Sequence, residues 1–127
     1  MRVPATAGHV ALLRTAVGGF AARDELTIDQ IDDLRMAVEE AAVQLLRHAR
    51  GEQLELDVCA TASGIEVRIH ADVLGEEPVI DESSFSWSIL RALADDVQVE
   101  MRQGHATIVL LKHRLDEHDE VADGVAG

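Results

Sequence analysis

The sequence is poor in cysteine and in aromatic residues, and each shortage narrows what the protein can be. Its single cysteine, Cys59, excludes an internal disulfide and is typical of a protein kept in a reducing compartment. Cys59 falls in an apolar strand pattern, which predicts a small buried side chain. The aromatic residues are Phe20, Phe85 and Trp87, so the core must be built from alanine, valine, leucine and isoleucine.

Long apolar runs and basic residues are also scarce. No run approaches the length of a membrane span, and the chain does not open on a charged-then-apolar signal sequence, so we expect a cytoplasmic protein without membrane contact. Acidic residues number 24 against 11 basic ones, a formal net charge of −13. Phosphate backbones repel such a surface, which argues against direct nucleic-acid binding. The charge suits a basic protein partner, or it simply keeps the domain soluble.

Hydrophobic periodicity predicts the order strand, helix, helix, strand, strand, helix, strand, strand. The long second helix is the best marked, because Thr27 and Gln30 form a capping box at its start. It should run to Arg50, ahead of Gly51. The order predicts an α+β fold, a two-layer sandwich with helices on one face of a mixed, mostly antiparallel sheet. We expect one domain over residues 1–115 and a disordered acidic tail over 116–127.

The second half of the long helix carries the motif that points to a family. Glu40 to Ala49, E-A-A-V-Q-L-L-R-H-A, resembles the N-box helix of the GHKL (HATPase-like) ATPases, and within them the anti-sigma factors of the RsbW/SpoIIAB/UsfX type. Ser84 to Val97, S-F-S-W-S-I-L-R-A-L-A-D-D-V, is similar to the second glycine segment of those proteins, in which a serine-rich turn enters a helix ending L-A-D-D-V. The resemblance implies the GHKL (Bergerat) fold, with ATP and magnesium as possible cofactors.

Three positions on the long helix acquire roles from this resemblance. Glu40 would be the general base, and Gln44 stands where the family's asparagine binds magnesium, with its amide one methylene farther out. Magnesium demands near-ideal distances, so this displacement weakens binding. His48 matches the motif's histidine and joins the cofactor-binding positions. The alternative is that Glu40 and Gln44 are two solvated residues on a polar helix face.

The glycine segments depart further from the family pattern. Where the family has D-x-G-x-G, with an aspartate that reads adenine, this chain has Asp72 and Gly75 in a D-x-x-G run. Such a pair is also ordinary turn chemistry. Ser84 and Ser86 replace the glycines that would let the backbone approach a phosphate, and the alternative role for these serines is helix N-capping.

The resemblance implies an anti-sigma factor that sequesters an RNA polymerase sigma factor and is released by a STAS-type anti-anti-sigma protein. The altered motifs argue against an active enzyme. One alternative is an active ATP-dependent serine kinase that phosphorylates its antagonist with Glu40 as base, and another is a GHKL scaffold without a sigma partner. Sigma contacts are expected over Arg23 to Asp33. The first strand and helix are expected in a homodimer interface, although the helix at Gly8 to Ala22 could equally pack on its own sheet.

Overall fold

Three α-helices and five β-strands appear in the predicted order. The computed structural model describes residues 1–114, so the predicted tail at 116–127 lies outside the described residues. A 3-10 turn at Ala7–His9 leads into the first helix. The elements are β1 (Arg2–Pro4), α1 (Val10–Ala22), α2 (Ile28–His48), β2 (Gln53–Ala60), β3 (Gly64–Asp72), α3 (Phe85–Leu93), β4 (Asp96–Arg102) and β5 (His105–His113). Within residues 1–114, every helix is too short or too polar to cross a membrane.

The capping box of α2 is present as predicted. The Thr27 hydroxyl accepts from the Gln30 amide at 3.1 Å, and the Gln30 side-chain oxygen accepts from the Thr27 amide at 2.9 Å. Two of the free N–H groups at this helix end are thereby satisfied. At its other end α2 stops at His48, two residues earlier than expected, because Ala49 adopts an extended conformation and forms a β-bridge with Val73.

The five strands form one sheet in the order β1-β2-β3-β5-β4. All four pairings are antiparallel, so the sheet is not mixed, and the two-layer α+β architecture is confirmed. The antiparallel pairing of all five strands follows from the order in which the chain connects them. Tight turns join β2 to β3 and β4 to β5, and the chain that crosses over through α3 places β4 outside β5 rather than beside β3.

The helices cover one face of the sheet, here called the inner face. Alternate residues of β3 and β5 point into it and are buried: Ile65, Val67, Ile69, Ala71, Ala106, Ile108 and Leu110. They join Leu34, Val38 and Leu45 of α2 in one core. The opposite, outer face carries most of the polar residues of the strands. Cys59 lies on this outer face and is exposed, so its predicted burial is wrong. Side chains alternate along β2, and Cys59 points to the same side as Glu55 and Asp57.

One basic residue lies on the inner face. Lys112 is 8% exposed, and its Nζ donates to the Leu93 carbonyl at 2.8 Å and pairs with Asp33 at 3.3 Å. The same ammonium group therefore holds the end of α3 and the first half of α2 to the sheet. The free-energy cost of removing this cation from water is offset by its contacts with a carboxylate and with a carbonyl left free at the end of a helix.

Candidate functional site

Three of the predicted site residues meet between α2 and the start of α3. The Ser86 hydroxyl donates to Glu40 Oε1 at 2.5 Å, and the Gln44 amide nitrogen donates to Ser86 Oγ at 2.7 Å. The same nitrogen lies 3.2 Å from Glu40 Oε1. Glu40 and Gln44 share a face because they are four residues apart on one helix. These three side chains form a closed hydrogen-bonded triangle, called here the Glu40–Gln44–Ser86 triangle.

This triangle does not fit a magnesium ion in the arrangement that the structure shows. Gln44 presents its N–H₂ group to Glu40 and Ser86, and a donor group cannot coordinate a cation. Oxygen Oε1 of Glu40 already accepts from the serine hydroxyl. Gln44 is itself 7% exposed, so its amide has little room to turn outward. Within residues 1–114, no group of three or more His, Cys, Asp or Glu side chains is arranged to hold a metal ion.

The structure does not bring Asp72 to this triangle. Asp72 pairs with His105 across β3 and β5, and both side chains point from the outer face, away from α2. The residue at the end of β3 that points towards the helices is Ala71, which is 3% exposed. Ala71 also precedes Gly75 by four residues, as the aspartate of D-x-G-x-G precedes its last glycine. At the end of β3, a methyl group and not a carboxylate therefore faces the helices.

On the outer face Asp72 belongs to a cluster of two imidazoles and three carboxylates, the third being Glu55, 3.2 Å from His70 Nδ1. His105 Nδ1 donates to Asp72 Oδ1 at 2.9 Å, and this hydrogen bond holds the pKa of the Asp72 carboxyl below its usual value. His105 Nε2 lies 3.1 Å from His70 Nδ1, and His70 Nε2 donates to Asp57 at 3.0 Å. No sequence motif marked this cluster. The alternation along β3 could have indicated it, because residues 66, 68, 70 and 72 point to the face opposite to the buried isoleucines.

The remaining predicted positions have local structural contacts. Ser84 is the N-cap of α3, and its hydroxyl accepts from the Trp87 amide at 3.1 Å. The backbone carbonyl of His48 accepts from the Leu74 amide at 2.8 Å, which ties the end of α2 to the segment after β3. Gly75 has a φ of +76° in an exposed turn, a conformation that favours glycine.

The loop from Val73 to Ser83, which the resemblance implies as the lid over a nucleotide, is anchored in the core. Val79 and Ile80, halfway between β3 and α3, are 3% and 4% exposed and pack within the main hydrophobic cluster. Asp81 then accepts from the Ser83 amide at 2.9 Å, which lowers the pKa of its carboxyl. Buried apolar side chains at the middle of this segment oppose the opening and closing that a lid requires.

Comparison with known proteins gives a consistent family match. The family model described as "Histidine kinase-like ATPase domain" matches residues 3–112. A Mycobacterium tuberculosis (strain ATCC 25618 / H37Rv) protein named "Anti-sigma-F factor RsbW" is 38% identical over 99 residues, which cover 77% of this chain and 58% of that relative. The chain therefore matches less than two thirds of the length of this relative.

Two relatives from Bacillus match at lower identity and over more of their length. The "Serine-protein kinase RsbW" of Bacillus subtilis (strain 168) is 26% identical over 134 residues, covering 89% of this chain and 83% of the relative. A protein of the same name from Bacillus cereus (strain B4264) is 24% identical over 140 residues, covering 94% and 87%. The relatives thus carry two kinds of name, one for sigma factor control and one for phosphoryl transfer.

Proposed function

Because the chain belongs to the histidine kinase-like ATPase domain family, we propose that it is an anti-sigma factor, which binds an RNA polymerase sigma factor and withholds it from the polymerase. The observation that carries this proposal is the 38% identity to a relative named for that role. The net charge of −13 supports it, since an acidic surface is complementary to the basic face of a DNA-binding protein. A STAS-type anti-anti-sigma protein then releases the sigma factor by competing for the same surface.

Kinase activity in this proposal is weak or lost. The Glu40–Gln44–Ser86 triangle occupies the predicted base and magnesium position with mutual hydrogen bonds. The Ala71 side chain, which faces the helices at the end of β3, has no acceptor for adenine. Phosphoryl transfer depends almost entirely on positioning and charge neutralisation, so several lost contacts together cost far more rate than one. The alternative is an active serine kinase that uses Glu40 to activate a hydroxyl of its antagonist. The kinase names of the Bacillus relatives favour that alternative.

The turn between α1 and α2 is the proposed sigma-binding segment, within residues 23–33. Leu26 is buried and fixes this turn against the core, whereas Ile28 at the start of α2 is 78% exposed. A large apolar side chain held in solvent by an ordered backbone is a suitable anchor for a partner protein. The acidic residues Asp29 and Asp32 lie beside it on the first turns of the helix.

Replacing Ile28 by aspartate is expected to weaken sigma capture by about tenfold or more, because the anchor becomes a charged group. Aspartate in the first turn of a helix complements its dipole, so the fold should be unharmed. Leu74→Asp is the matched control, since Leu74 is 63% exposed after β3, beside the C-terminal end of α2 and away from Ile28. The measurement is a pull-down from host lysate with mass spectrometry, followed by titration of the recovered sigma factor. Recovery of no sigma factor would refute the proposal and favour a scaffold with another role.

Labelled ATP with magnesium and a purified STAS antagonist tests the kinase alternative. We expect no transfer of label from the wild-type chain, because the side chains at the predicted base and magnesium positions, Glu40 and Gln44, are hydrogen-bonded to each other and to Ser86. Label transfer that Glu40→Ala abolishes would establish the kinase instead. Glu39→Ala is the matched control, since the Glu39 carboxylate points to Arg14 of α1 at 3.1 Å and takes no part in the triangle.

The protein is further proposed to act as a cytoplasmic homodimer through β1 and α1. The strand β1 lies at one edge of the sheet, and α1 leaves Leu12 50% and Phe20 39% exposed. Both features would be covered if two copies met through this side of the molecule.

A further inference from the structure

A groove runs along the free side of β4, at the edge of the sheet opposite β1. Within residues 1–114, β4 pairs with β5 and with no other strand. The segment between β3 and α3 forms the facing wall through residues 77–82, and the groove encloses about 940 Å³. None of its lining residues belongs to the Glu40–Gln44–Ser86 triangle. The groove thus shares the segment between β3 and α3 with the predicted nucleotide site but contains none of the predicted site residues, and we call it the β4 groove.

The charge of the β4 groove has one sign. Its lining includes three carboxylates on the facing wall, from Glu77, Asp81 and Glu82, and no lysine or arginine. A fourth lining carboxylate, from Glu100 of β4, pairs with Arg68 at 3.5 Å. The hydrogen bonds from Ser83 lower the pKa of the Asp81 carboxyl and keep it ionised. Carboxylates that converge on a concave surface favour a basic occupant, because the low-dielectric walls concentrate their field.

The floor of the groove is apolar and half exposed. Trp87 at the start of α3 lines it together with Val99 and Met101 of β4, and each of these side chains is only partly buried. Trp87 is also the single tryptophan of the chain. The groove thus combines an apolar floor with an acidic rim, a pattern that suits a segment with alternating apolar and basic side chains.

Within residues 1–114, no strand pairs with the free side of β4. An uncovered strand presents unpaired N–H and C=O groups, and proteins usually protect such an edge with proline, lysine or a very short strand. The other edge follows this rule, because β1 has three residues and ends at Pro4. β4 has seven residues, D-V-Q-V-E-M-R, without proline or lysine. Such an edge can accept a further strand from a partner through main-chain hydrogen bonds.

We propose that the β4 groove binds an extended basic segment of a partner protein, which adds as a sixth strand beside β4. A second copy of this chain is a poor occupant, because two acidic grooves would face each other. The chain's own residues 115–127 are poor occupants for the same reason, since they contain five aspartates and glutamates and no lysine or arginine. The proposal does not depend on sigma capture through the α1–α2 turn, and each can fail without the other.

The test uses the fluorescence of Trp87 as the readout. The probe is an end-blocked heptapeptide of alternating lysine and valine, titrated into the full chain at low salt. We expect a saturable change in emission and a dissociation constant about fivefold higher for Glu77→Gln/Glu82→Gln, because two exposed carboxylates of the rim are lost. The control pair Glu52→Gln/Asp57→Asn removes the same charge from exposed positions outside both the groove and the proposed sigma-binding segment, and should bind like the wild type.

A second peptide separates strand addition from simple charge attraction. Methylation of alternate peptide nitrogens keeps the charge but removes the N–H groups that face β4, and we expect it to abolish saturable binding. No saturable change in Trp87 emission with the first peptide would overturn the proposal. Equal binding of the methylated peptide, or equal weakening by the control pair, would also overturn it, since binding would then be nonspecific.

Discussion

Replacing Gly64 by alanine is expected to lower the free energy of unfolding by about 3 kcal/mol, the upper part of the range for forcing atoms into a filled space. Gly64 opens β3 opposite His113 of β5. A Cβ atom at Gly64 would stand 2.0 Å from the Lys112 carbonyl oxygen and 2.7 Å from the Cα of His113. Both are backbone atoms, so no side-chain rotation relieves the clash, and the two central strands must separate.

Gly19→Ala is the matched control for this substitution. Gly19 lies inside α1, and nothing stands within 4 Å of the position that its Cβ would take. Alanine has the better helix propensity there, so we expect a gain of about 0.5–1 kcal/mol. Urea unfolding followed by circular dichroism measures both variants. A Gly64→Ala protein as stable as the wild type would contradict the close approach of β3 and β5.

Local signals predicted most of the fold. The α2 helix followed from a capping box and an apolar stripe, and both depend on residues within a few positions of one another. In the turn between β4 and β5, Gly104 has a φ of +83°, a conformation that favours glycine. The sheet order could not be read in this way, because the placement of β5 between β3 and β4 depends on contacts between distant segments.

The sequence indicated which residues belong to the candidate site, but not which contacts their side chains make. Helical spacing brought Glu40 and Gln44 together, but their bond to Ser86 depends on how α3 packs against α2, 42 residues farther along the chain from Gln44. For Asp72, strand parity was the available signal, and it places this residue on the outer face with His70. A motif is matched by residue types and spacing alone. In a strand, each residue also points to one face of the sheet, so a shift of one residue moves a side chain to the other face.

The role of Arg114 was invisible in the sequence because its partners come from distant segments. Its guanidinium pairs with the Asp24 carboxylate at 2.5 Å and donates to the Asp24 carbonyl at 3.2 Å. It also donates to the carbonyls of Thr61, Ala62 and Gly64 at 2.9, 3.2 and 3.3 Å. One side chain after β5 therefore joins the turn before α2 to the turn between β2 and β3. Arginine suits this position because its planar group offers five donors.

Arg114→Met is expected to lower the free energy of unfolding by about 2 kcal/mol, since partly buried acceptors lose charge-assisted hydrogen bonds while the aliphatic packing is kept. The Asp24 carboxylate, 23% exposed, would be left without its cation. Arg91→Met is the matched control, because Arg91 is 53% exposed and lies 3.7 Å from Asp96, a geometry that contributes little. Urea unfolding of both variants measures the difference, and equal stabilities would refute the role of Arg114.

The same substitution connects the fold to the proposed function. Asp24 precedes Leu26 and Ile28 in the proposed sigma-binding segment, so loss of Arg114 should loosen the turn that presents Ile28. At a temperature where Arg114→Met remains folded, we expect its affinity for the sigma factor to fall by about threefold to tenfold. The reason is that the turn must then become ordered on binding, which costs conformational entropy. Arg91→Met should bind like the wild type. If Arg114→Met loses stability but keeps full sigma affinity, the partner binds elsewhere, and Ile28 is not its anchor.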